Sequence, residues 1–334
     1  MARVGAPSTT SVAVIGAGPC GLATAIALKQ AKIRTTVYDR SCLVSTIANY
    51  PTYMTFFSTA DKITIGGMPF VTGGEKPTRR EALAYFRMAV QHFGIMPRLY
   101  EPVTDIVRDG AHFVVRSETA RGPVEAPYDA VVVATGCFGT PNLLHVPGET
   151  LPHVTHSYQE GHEAFRRDVI IVGAGNSAVE AALDLWRCGA RVTLVHFRDR
   201  LDPNIKPWIL PEITNRLAEG GIAALWNTRV TRIEVDAVVV DGPGGTRRAH
   251  AARVYLMTGY RPDTALLQQL GVTLDAETGA PVIDRATMET DIEGVFVAGV
   301  LAGGSNETSK IFIENGRGHG ALIAQRLATA RQTA

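Results

Sequence analysis

Short apolar runs and helix-like stretches alternate along most of the chain. The first run, VAVIG at Val12 to Gly16, contains no polar residue, which is typical of a parallel strand buried on both faces. A glycine-rich turn (GAGPCG) and a mainly apolar helical stretch (LATAIALKQ) follow it, and the next strand (RTTVYD) ends at Asp39. This succession of strand, glycine turn, helix and strand predicts a nucleotide-binding βαβ unit.

The same succession occurs a second time. DVIIVG leads into the turn GAGNSA, then into the helical stretch AVEAALDLWRCG and the strand RVTLVH, which ends at His196. Asp39 lies 23 residues after Gly16, and His196 lies 23 residues after Gly173. One glycine turn is weak evidence because such turns recur by chance, but two units in one register predict two dinucleotide sites.

Two further apolar runs bracket the second unit and indicate the domain organisation. YDAVVVATG ends at Gly136 and ARVYLMTGYRPD ends at Asp263, and in each a strand runs into Thr-Gly. We therefore predict an α/β fold with two Rossmann-like dinucleotide-binding domains, the second inserted into the first. The predicted bounds are 1–150 and 258–334 for the first domain and 151–257 for the inserted one. IEGVFVAGVLAGG is expected to add a strand and a loop to the first domain.

Local patterns between these units predict one helix and one small sheet. TRREALAYFRMAVQHFGI begins with Thr78-x-x-Glu81, a capping box, and continues as an amphipathic helix. LYEPVTDIVRD and HFVVRSE are expected to form strands of a small antiparallel sheet.

Composition and charge exclude several classes of partner. The chain of 334 residues is 46% hydrophobic and 19% charged with a formal net charge of +1, so no field of one sign suggests a nucleic acid or an anionic membrane. The apolar stretch Val12 to Leu28 contains glycines and a proline that would break a lone helix in lipid. MARVGAPSTT lacks the layout of a signal peptide, so we expect a cytoplasmic protein. The four cysteines form no CxxC, which argues against a zinc site and a local redox disulfide, and we expect no metal.

The residue types explain how each unit would bind its nucleotide. Glycines permit a sharp turn and close approach to a pyrophosphate, and the helix N-terminus offers its unpaired N–H groups to the phosphate oxygens. Asp39 can accept hydrogen bonds from free ribose hydroxyls. His196, Arg198 and Arg200 lie at the matching place in the second unit, where guanidinium groups suit a 2′-phosphate and indicate NADPH. The alternative is that these arginines belong to a solvated turn.

Four stretches are more specific than any nucleotide motif: GAGPCGLATA, NYPTYMTFFSTADKITIGG, IKPWILPE and KIFIENGRGHG. Through them the chain resembles the flavoproteins with the low-molecular-weight thioredoxin reductase layout, and more closely the YpdA-type bacillithiol disulfide reductase family. The resemblance covers nearly the whole chain. It implies an FAD-containing, NADPH-dependent reductase without CxxC that acts on a small-molecule thiol disulfide. It also implies a homodimer or a higher homo-oligomer.

The resemblance also implies which residues bind the cofactors. FAD would be held by residues of the first turn, the following strand ends and the C-terminal segment: Gly16, Gly18, Pro19, Cys20, Gly21, Asp39, Arg40, Val103, Thr135, Gly136, Gly299, Val300, Lys310 and Ile311. NADPH would be held by Gly173, Gly175, Asn176, Ser177, His196, Arg198, Arg200 and Gly259. Lys310 and Ile311 would begin the C-terminal helix, with its positive end facing the flavin ring.

Two positions depart from the pattern of the wider flavoprotein group. Val300 stands where an Asp usually binds the ribityl chain, although the same replacement looks like the YpdA-type pattern. Phe197 stands where the thioredoxin reductase version of the phosphate site has the first of two arginines.

Cys20 is the candidate catalytic thiol, and its electrostatics act in both directions. A helix N-terminus lowers a thiol pKa, whereas a neighbouring pyrophosphate raises it. Cys20 is therefore either a nucleophile that forms a mixed disulfide or a small side chain that packs helix against strand.

Of the histidines, His319 is the better candidate acid. The aromatic loop after Asn49 either caps the core or lines the flavin, and in IKPWILPE either Trp208 is core or Lys206 reaches the NADPH phosphate.

Other functions compete with disulfide reduction. An NADPH:ferredoxin or flavodoxin reductase would need an exposed flavin edge with a basic rim. A flavin monooxygenase is suggested by ATGCFGTPNLLHVPG and HSYQE, but its FxGxxxHxxxW fingerprint is absent. A redox sensor that binds both nucleotides without turnover is a third alternative.

Overall fold

A computed structural model describes residues 10–304 and 311–333 of the chain. These residues form two compact units. The first unit comprises Met1–Ala48, Met54–Thr140 and Tyr260–Ala334, and the second comprises Asn49–Tyr53 and Pro141–Gly259.

The first unit is built on a six-stranded sheet. Its four parallel strands are β1 (Ser11–Ile15), β2 (Arg34–Tyr38), β6 (Ala130–Val133) and β17 (Val295–Val297), and β15 (Ile283–Asp284) and β16 (Glu289–Thr290) continue it as antiparallel strands. The order is β15-β16-β17-β6-β1-β2. All five residues of β1 and all four of β6 are buried, as the apolar runs of residues 12–15 and 130–133 predict, and β1 also buries the polar Ser11. The predicted last strand, in IEGVFVAGVLAGG, is confirmed as β17.

A small antiparallel sheet and several helices complete the described part of this unit. The sheet contains β3 (Val103–Asp109), β4 (His112–Thr119) and β5 (Gly122–Tyr128), which confirms the two predicted strands and adds a third. The helices are α1 (Pro19–Gln30), α2 (Ser45–Ala48), α3 (Arg79–His92), α6 (Ala265–Gln269), α7 (Ile313–Gly316) and α8 (His319–Thr333). Short 3₁₀ helices span Ala60–Ile63 and Gly299–Gly303.

The start of α3 confirms the predicted capping box. The Glu81 N–H donates to Thr78 Oγ1 at 3.2 Å, and the Thr78 N–H donates to Glu81 Oε2 at 2.8 Å. Two of the otherwise unpaired donors at this helix end are thereby satisfied. Elsewhere in the unit, α8 packs very closely on α1, because a Cβ at Gly320 would lie 2.5 Å from the Cα of Thr24.

The second unit has a parallel five-stranded sheet of its own. The strands are β7 (Val154–Thr155), β8 (Asp168–Val172), β9 (Arg191–Val195), β10 (Ala223–Leu225) and β14 (Arg253–Leu256), in the order β10-β9-β8-β14-β7. Helices α4 (Asn176–Arg187) and α5 (Leu210–Ala218) accompany it, and a 3₁₀ helix spans His162–Ala164. A three-stranded antiparallel sheet of β11 (Arg229–Ile233), β12 (Ala237–Gly242) and β13 (Gly245–His250) was not predicted.

Five residues from early in the chain belong to this second unit. The Thr52 N–H donates to Gln159 O at 3.0 Å, and Gln159 Nε2 donates to Asn49 Oδ1 at 3.5 Å. The hydroxyl of Tyr53 donates to Glu180 O at 3.5 Å. The chain therefore passes between the two units four times rather than twice.

The predicted α/β fold with two Rossmann-like domains, one inserted into the other, is confirmed. No helix among residues 10–304 and 311–333 is long and apolar enough to cross a lipid bilayer.

Candidate functional site

The first glycine turn joins β1 to α1 and admits no side chain at two positions. Gly16 has φ of +118°, and a Cβ there would lie 2.4 Å from Ala134 O. A Cβ at Gly21 would lie 1.9 Å from Gly16 O. Glycine is required at both places, because strand, turn and helix approach more closely than a side chain allows.

The N-terminus of α1 is open to an anion. Gly18 is the N-cap and Pro19 the first helical residue, and in the described part of the chain no side chain caps this end. The first turn of α1 contains no acidic residue. A Cβ built at Gly18 would meet no heavy atom of the described residues within 4 Å. Unpaired N–H groups beside an open glycine fit a pyrophosphate.

Asp39 is held against this turn by backbone donors. Its Oδ2 accepts from the Ala17 N–H and its Oδ1 from the Ser41 N–H, both at 2.8 Å. Burial raises the pKa of Asp39 above its ordinary value, and the two hydrogen bonds act in the opposite direction. The carboxylate therefore has a fixed position at the end of β2, where a ribose would lie.

Other predicted FAD residues lie around the same sheet edge. Thr135 and Gly136 follow β6, and a Cβ at Gly16 would lie 3.3 Å from the Thr135 N atom. Gly136 has φ of +72°. Arg40 lies so close to Gly139 that a Cβ on this glycine would be 1.8 Å from Arg40 Nη2. Val103 is the half-buried first residue of β3.

Cys20 packs into a recess made by two glycines. A Cβ at Gly299 would lie 3.2 Å from the sulfur of Cys20, and a Cβ at Gly316 would lie 2.8 Å from it. Burial raises the pKa of the Cys20 thiol to about 12, so the side chain is a neutral thiol at physiological pH. Cys20 and Gly299 therefore lie next to each other in the structure, although they are 279 positions apart in the sequence.

The C-terminal helix starts later than predicted. Ile311 lies outside any helix and precedes the four-residue α7, and α8 begins only at His319. The prediction that the helix begins at Lys310 and Ile311 is therefore wrong for Ile311, and Lys310 lies outside the described residues. Close packing of Gly316 on Cys20 and Gly299 accompanies the break between α7 and α8.

His319, the first residue of α8, is fixed by the 3₁₀ helix that contains Val300. Its Nδ1 accepts from the Gly299 N–H at 3.1 Å, so the neutral ring carries its proton on Nε2. Burial lowers the pKa of His319, and the nearby Arg285 lowers it further. The His319 ring is therefore neutral and can donate a hydrogen bond through its Nε2–H.

The aromatic loop after α2 is divided between core and surface. Phe56 is buried, whereas Tyr53 and Phe57 are exposed. Phe56 therefore fits the first alternative, a cap on the core, whereas a lining of the flavin site stays a prediction for the exposed side chains.

Arg317 is a residue of this region that sequence analysis did not single out. Its Nη1 donates to Thr64 O at 2.7 Å and to Asp61 O at 2.9 Å. Arg317 also lines a cavity of about 300 Å³ together with Gly66 and Gly67. The sequence does contain a feature that could have indicated Arg317. It lies between two glycines directly after KIFIEN, within a stretch that carries the family resemblance.

The second glycine turn repeats the backbone of the first. Gly173 has φ of +131°, and a Cβ there would lie 2.3 Å from Met257 O. Gly175 caps α4 without a side-chain partner in the described part of the chain, and the first turn of α4 has no acidic residue. A Cβ at Gly175 would lie 3.1 Å from Asp202 Oδ2. This turn also fits a pyrophosphate.

The side chain of Asn176 is occupied by a neighbouring loop. Its Nδ2 donates to Asn204 O at 2.9 Å, and its Oδ1 accepts from the Lys206 N–H at 2.8 Å. Lys206 pairs with Glu180 at 2.7 Å, and Trp208 is half exposed. Neither alternative for IKPWILPE therefore applies in full, because Trp208 is not core and Lys206 already has a carboxylate partner.

His196 follows the second strand of this unit and is buried, with 6% of its surface exposed. Its Nε2 has no hydrogen-bond partner among the described residues. Burial lowers the pKa of His196, so the ring is neutral. A buried polar atom without a partner fits a position that a ligand completes.

The remaining predicted NADPH residues are more exposed. Arg198 lies 3.5 Å from Asp202 Oδ1, and Arg200 lies 3.5 Å from Asp199 Oδ1. Ser177 follows Asn176 in the first turn of α4, and Gly259, with φ of +84°, ends the second unit.

Comparisons with known proteins agree with this arrangement. Residues 13–299 match the model of the pyridine nucleotide-disulphide oxidoreductase family. The chain is 42% identical over 319 residues to the bacilliredoxin reductase Bdr of Bacillus subtilis, in a match that covers 94% of this chain and 96% of that protein. The structure of bacillithiol disulfide reductase Bdr (YpdA) from Bacillus cereus matches with a TM-score of 0.93 and 41% identity, over 96% of this chain and 99% of that one. The corresponding Staphylococcus aureus structure gives 0.89 and 37%, over 96% and 98%.

The family match runs through both units and ends at Gly299. The predicted enzyme class and the dependence on FAD and NADPH are confirmed. The chain belongs to the pyridine nucleotide-disulphide oxidoreductase family and, within it, groups with the bacilliredoxin and bacillithiol disulfide reductases.

Proposed function

We propose that the protein reduces the disulfide of a low-molecular-weight thiol of the bacillithiol type, with NADPH as the reductant and FAD as the bound cofactor. The reaction is NADPH + H⁺ + RSSR → NADP⁺ + 2 RSH, so two electrons and two protons reach the disulfide. The observation that carries the proposal is the 42% identity, over 94% of the chain, to a bacilliredoxin reductase. The substrate class follows the names of the B. cereus and S. aureus proteins.

We assign FAD to a domain with the proposed bounds 1–150 and 258–334, which contains the whole first unit. The first turn and the open end of α1 would bind the pyrophosphate, and Asp39 would accept from the ribose hydroxyls. Thr135 and Gly299 would lie along the cofactor, because Thr135 borders the turn and Gly299 borders Cys20, and Gly136 would follow Thr135 there. The proposed set of FAD-binding residues also includes Arg40, Val103, Val300, Lys310 and Ile311.

We assign NADPH to a domain with the proposed bounds 151–257, which lies within the second unit. Gly173, Gly175 and the N–H groups of Asn176 and Ser177 would bind its pyrophosphate, because the side chain of Asn176 is engaged elsewhere. His196 and the basic residues beyond β9 would surround the ribose phosphate, and Gly259 would border the site.

Bound FAD supplies the hydride acceptor and donor. The chain supplies alignment and a hydrogen-bond donor to the substrate, for which we propose the Nε2–H of the neutral His319, and the proton that the product thiol needs then comes from solvent. Two routes lead to the substrate sulfur: direct transfer from the reduced cofactor, or attack by Cys20 through a mixed disulfide. The packing of Cys20 and its raised pKa favour the direct route, because a nucleophile must lose its proton.

Stopped-flow measurements test the proposed reaction. Enzyme reduced with NADPH is mixed with a panel of small disulfides, with ferredoxin and with oxygen, and reoxidation of the flavin is followed by its absorbance. We expect a small disulfide to reoxidise the flavin faster than oxygen does. Reoxidation by ferredoxin alone would identify a ferredoxin reductase, and reoxidation by oxygen alone would contradict the proposal.

Cys20→Ala separates the two routes. Unchanged disulfide reduction supports direct transfer, whereas loss of disulfide reduction with normal flavin reduction by NADPH assigns the nucleophile to Cys20.

We further propose that the protein works in the cytoplasm and as a homodimer or higher homo-oligomer. All four cysteines are free thiols, which suits a reducing compartment. Cell fractionation tests the location, and light scattering coupled to size exclusion tests the oligomeric state.

A further inference from the structure

An exposed phenylalanine beyond β9 lies close to two arginines. Phe197 has 47% of its surface exposed, although it directly follows the buried His196. The guanidinium carbon of Arg198 lies 5.1 Å from the Phe197 ring centroid, and that of Arg229 lies 4.9 Å from it. Both distances are in the range of a cation–π interaction. The guanidinium groups of Arg198 and Arg229 therefore lie against the same aromatic ring, so two positive charges are close together.

The backbone fixes Arg229 beside this ring. The His196 N–H donates to Leu225 O at 3.0 Å, and the Thr228 N–H donates to His196 O at 2.9 Å. The Asn227 N–H donates to Arg198 O at 2.8 Å. This pairing leads the chain past the end of β9 and into β11, whose first residue is Arg229. Arg229 therefore lies 32 positions after Phe197 in the sequence, but next to it in space.

Arg198, Arg200 and Arg229 differ in whether a carboxylate lies close to the guanidinium group. Arg198 has Asp202 as a neighbour, and Arg200 has Asp199, each at 3.5 Å. The side chain of Arg200 is also 83% exposed.

Arg229, in contrast, forms no ion pair with a carboxylate among the described residues. Asp241 is its cross-strand neighbour in the register of β11 and β12, but the carboxylate of Asp241 accepts from the Thr246 hydroxyl instead. Of the three guanidinium groups, that of Arg229 therefore remains the most available to an anion.

We propose that Arg229, together with Arg198, binds the 2′-phosphate of NADPH, and that Phe197 aligns the two guanidinium groups. Two guanidinium groups held at one ring can each donate to a phosphate oxygen. Arg229 then takes the role of the arginine that the usual pattern has at position 197, and it contributes more to phosphate binding than the exposed Arg200 does. This inference rests on the proposed NADPH site in the second unit and identifies its specificity-determining residue.

Ligand binding to the flavin-loaded protein tests the assignment without turnover. Calorimetry compares 2′,5′-ADP, which carries the 2′-phosphate, with 5′-ADP, which lacks it. In Arg229→Ala we expect affinity for 2′,5′-ADP to fall about 10- to 100-fold, the range for one charge-assisted hydrogen bond, with affinity for 5′-ADP unchanged. Arg232→Ala is the matched control and should bind both ligands as the wild type does, because Arg232 lies on the same strand but is paired with Glu234. In Arg200→Ala the loss of affinity for 2′,5′-ADP should be smaller than in Arg229→Ala. Arg229→Lys, which keeps the charge, should recover part of the loss.

The outcomes distinguish this inference from the proposed function. If Arg229→Ala binds 2′,5′-ADP normally, or if Arg200→Ala shows the larger loss, the assignment of Arg229 is wrong while the NADPH site stands. If the wild type does not distinguish the two ligands, the proposed 2′-phosphate site beyond β9 fails, and the assignment of Arg229 fails with it. Thermal melting verifies that each variant is folded.

Discussion

The two glycine turns, GAGPCG and GAGNSA, have nearly the same backbone and different surroundings. Gly16 and Gly173 both have positive φ, and a Cβ at either would lie about as close to a carbonyl oxygen, at 2.4 and 2.3 Å. The two turns differ in their last three residues. At the sixth position the first turn has Gly21 and the second has Ala178. A Cβ at Gly21 would strike Gly16 O at 1.9 Å, whereas the second turn accommodates one.

The neighbours of the turns differ still more. A carboxylate, Asp39, is bonded into the first turn, whereas the second is followed by a buried neutral His196 and a group of arginines. We propose that the turn supplies the same phosphate-binding backbone in both units. The difference then indicates that nucleotide choice depends on the residues after the second strand and not on the glycines.

The largest effect is expected at the sixth position. Gly21→Ala places a Cβ against backbone that cannot rotate away, so we expect a loss of about 3 kcal/mol or more in the free energy of unfolding, together with loss of flavin. Ala178→Gly, the reciprocal change, should cost only about 1 kcal/mol, the helix propensity difference. Urea unfolding and flavin absorbance measure both, and equal effects would contradict the different closeness of the two turns.

The thiol in the first turn should be protected from alkylation. Because burial raises the pKa of Cys20 to about 12, we expect it to react with iodoacetamide at pH 8 at least about 100-fold more slowly than in the urea-unfolded chain. Mass spectrometry of the tryptic peptides detects the modification, with Cys20→Ala as the blank. Rapid labelling of Cys20 in the folded protein would show that it is a thiolate.

The carboxylate should matter for FAD alone. Asp39→Asn removes a charged acceptor beside the first turn, so we expect FAD affinity to fall about 10- to 100-fold, the range for hydrogen bonds to a charged group. Asp199→Asn is the matched control after the second strand, and should leave FAD binding unchanged. Fluorescence of released flavin during dialysis measures both.

The smallest effect is on the pH dependence of stability. The pKa values of His196 and His319 are lowered by burial, so the unfolded chain binds protons near pH 6.5 that the folded protein excludes. The stability contributed by neutral histidine is present above pH 6.5 and is lost as the pH falls below it. We expect His319→Asn to make this decline shallower in urea unfolding between about pH 7 and pH 5. A decline as steep as in the wild type would show that His319 is not the group concerned.

Elements specified by local sequence were predictable, and those specified by distant contacts were not. The turns at Gly16 and Gly173 follow from a positive φ that glycine alone adopts freely, and α3 follows from its capping box. The start of α8 was misplaced, and the close packing of Gly316 on Cys20 near the break before it joins residues nearly the whole chain apart, which no local pattern reveals. Arg229 was missed because the pairing of residues 225–228 with residues 196–198 brings it to Phe197, and no motif spans that distance.

The five residues Asn49–Tyr53 have a consequence for how such a protein evolves. A domain inserted as one continuous cassette can be exchanged between genes by a single recombination at each end. Here residues 141–259 would arrive in a new host without the backbone and side-chain partners that Thr52, Tyr53 and Asn49 give them. A recombination that keeps these contacts must therefore carry residues 49–53 together with residues 141–259.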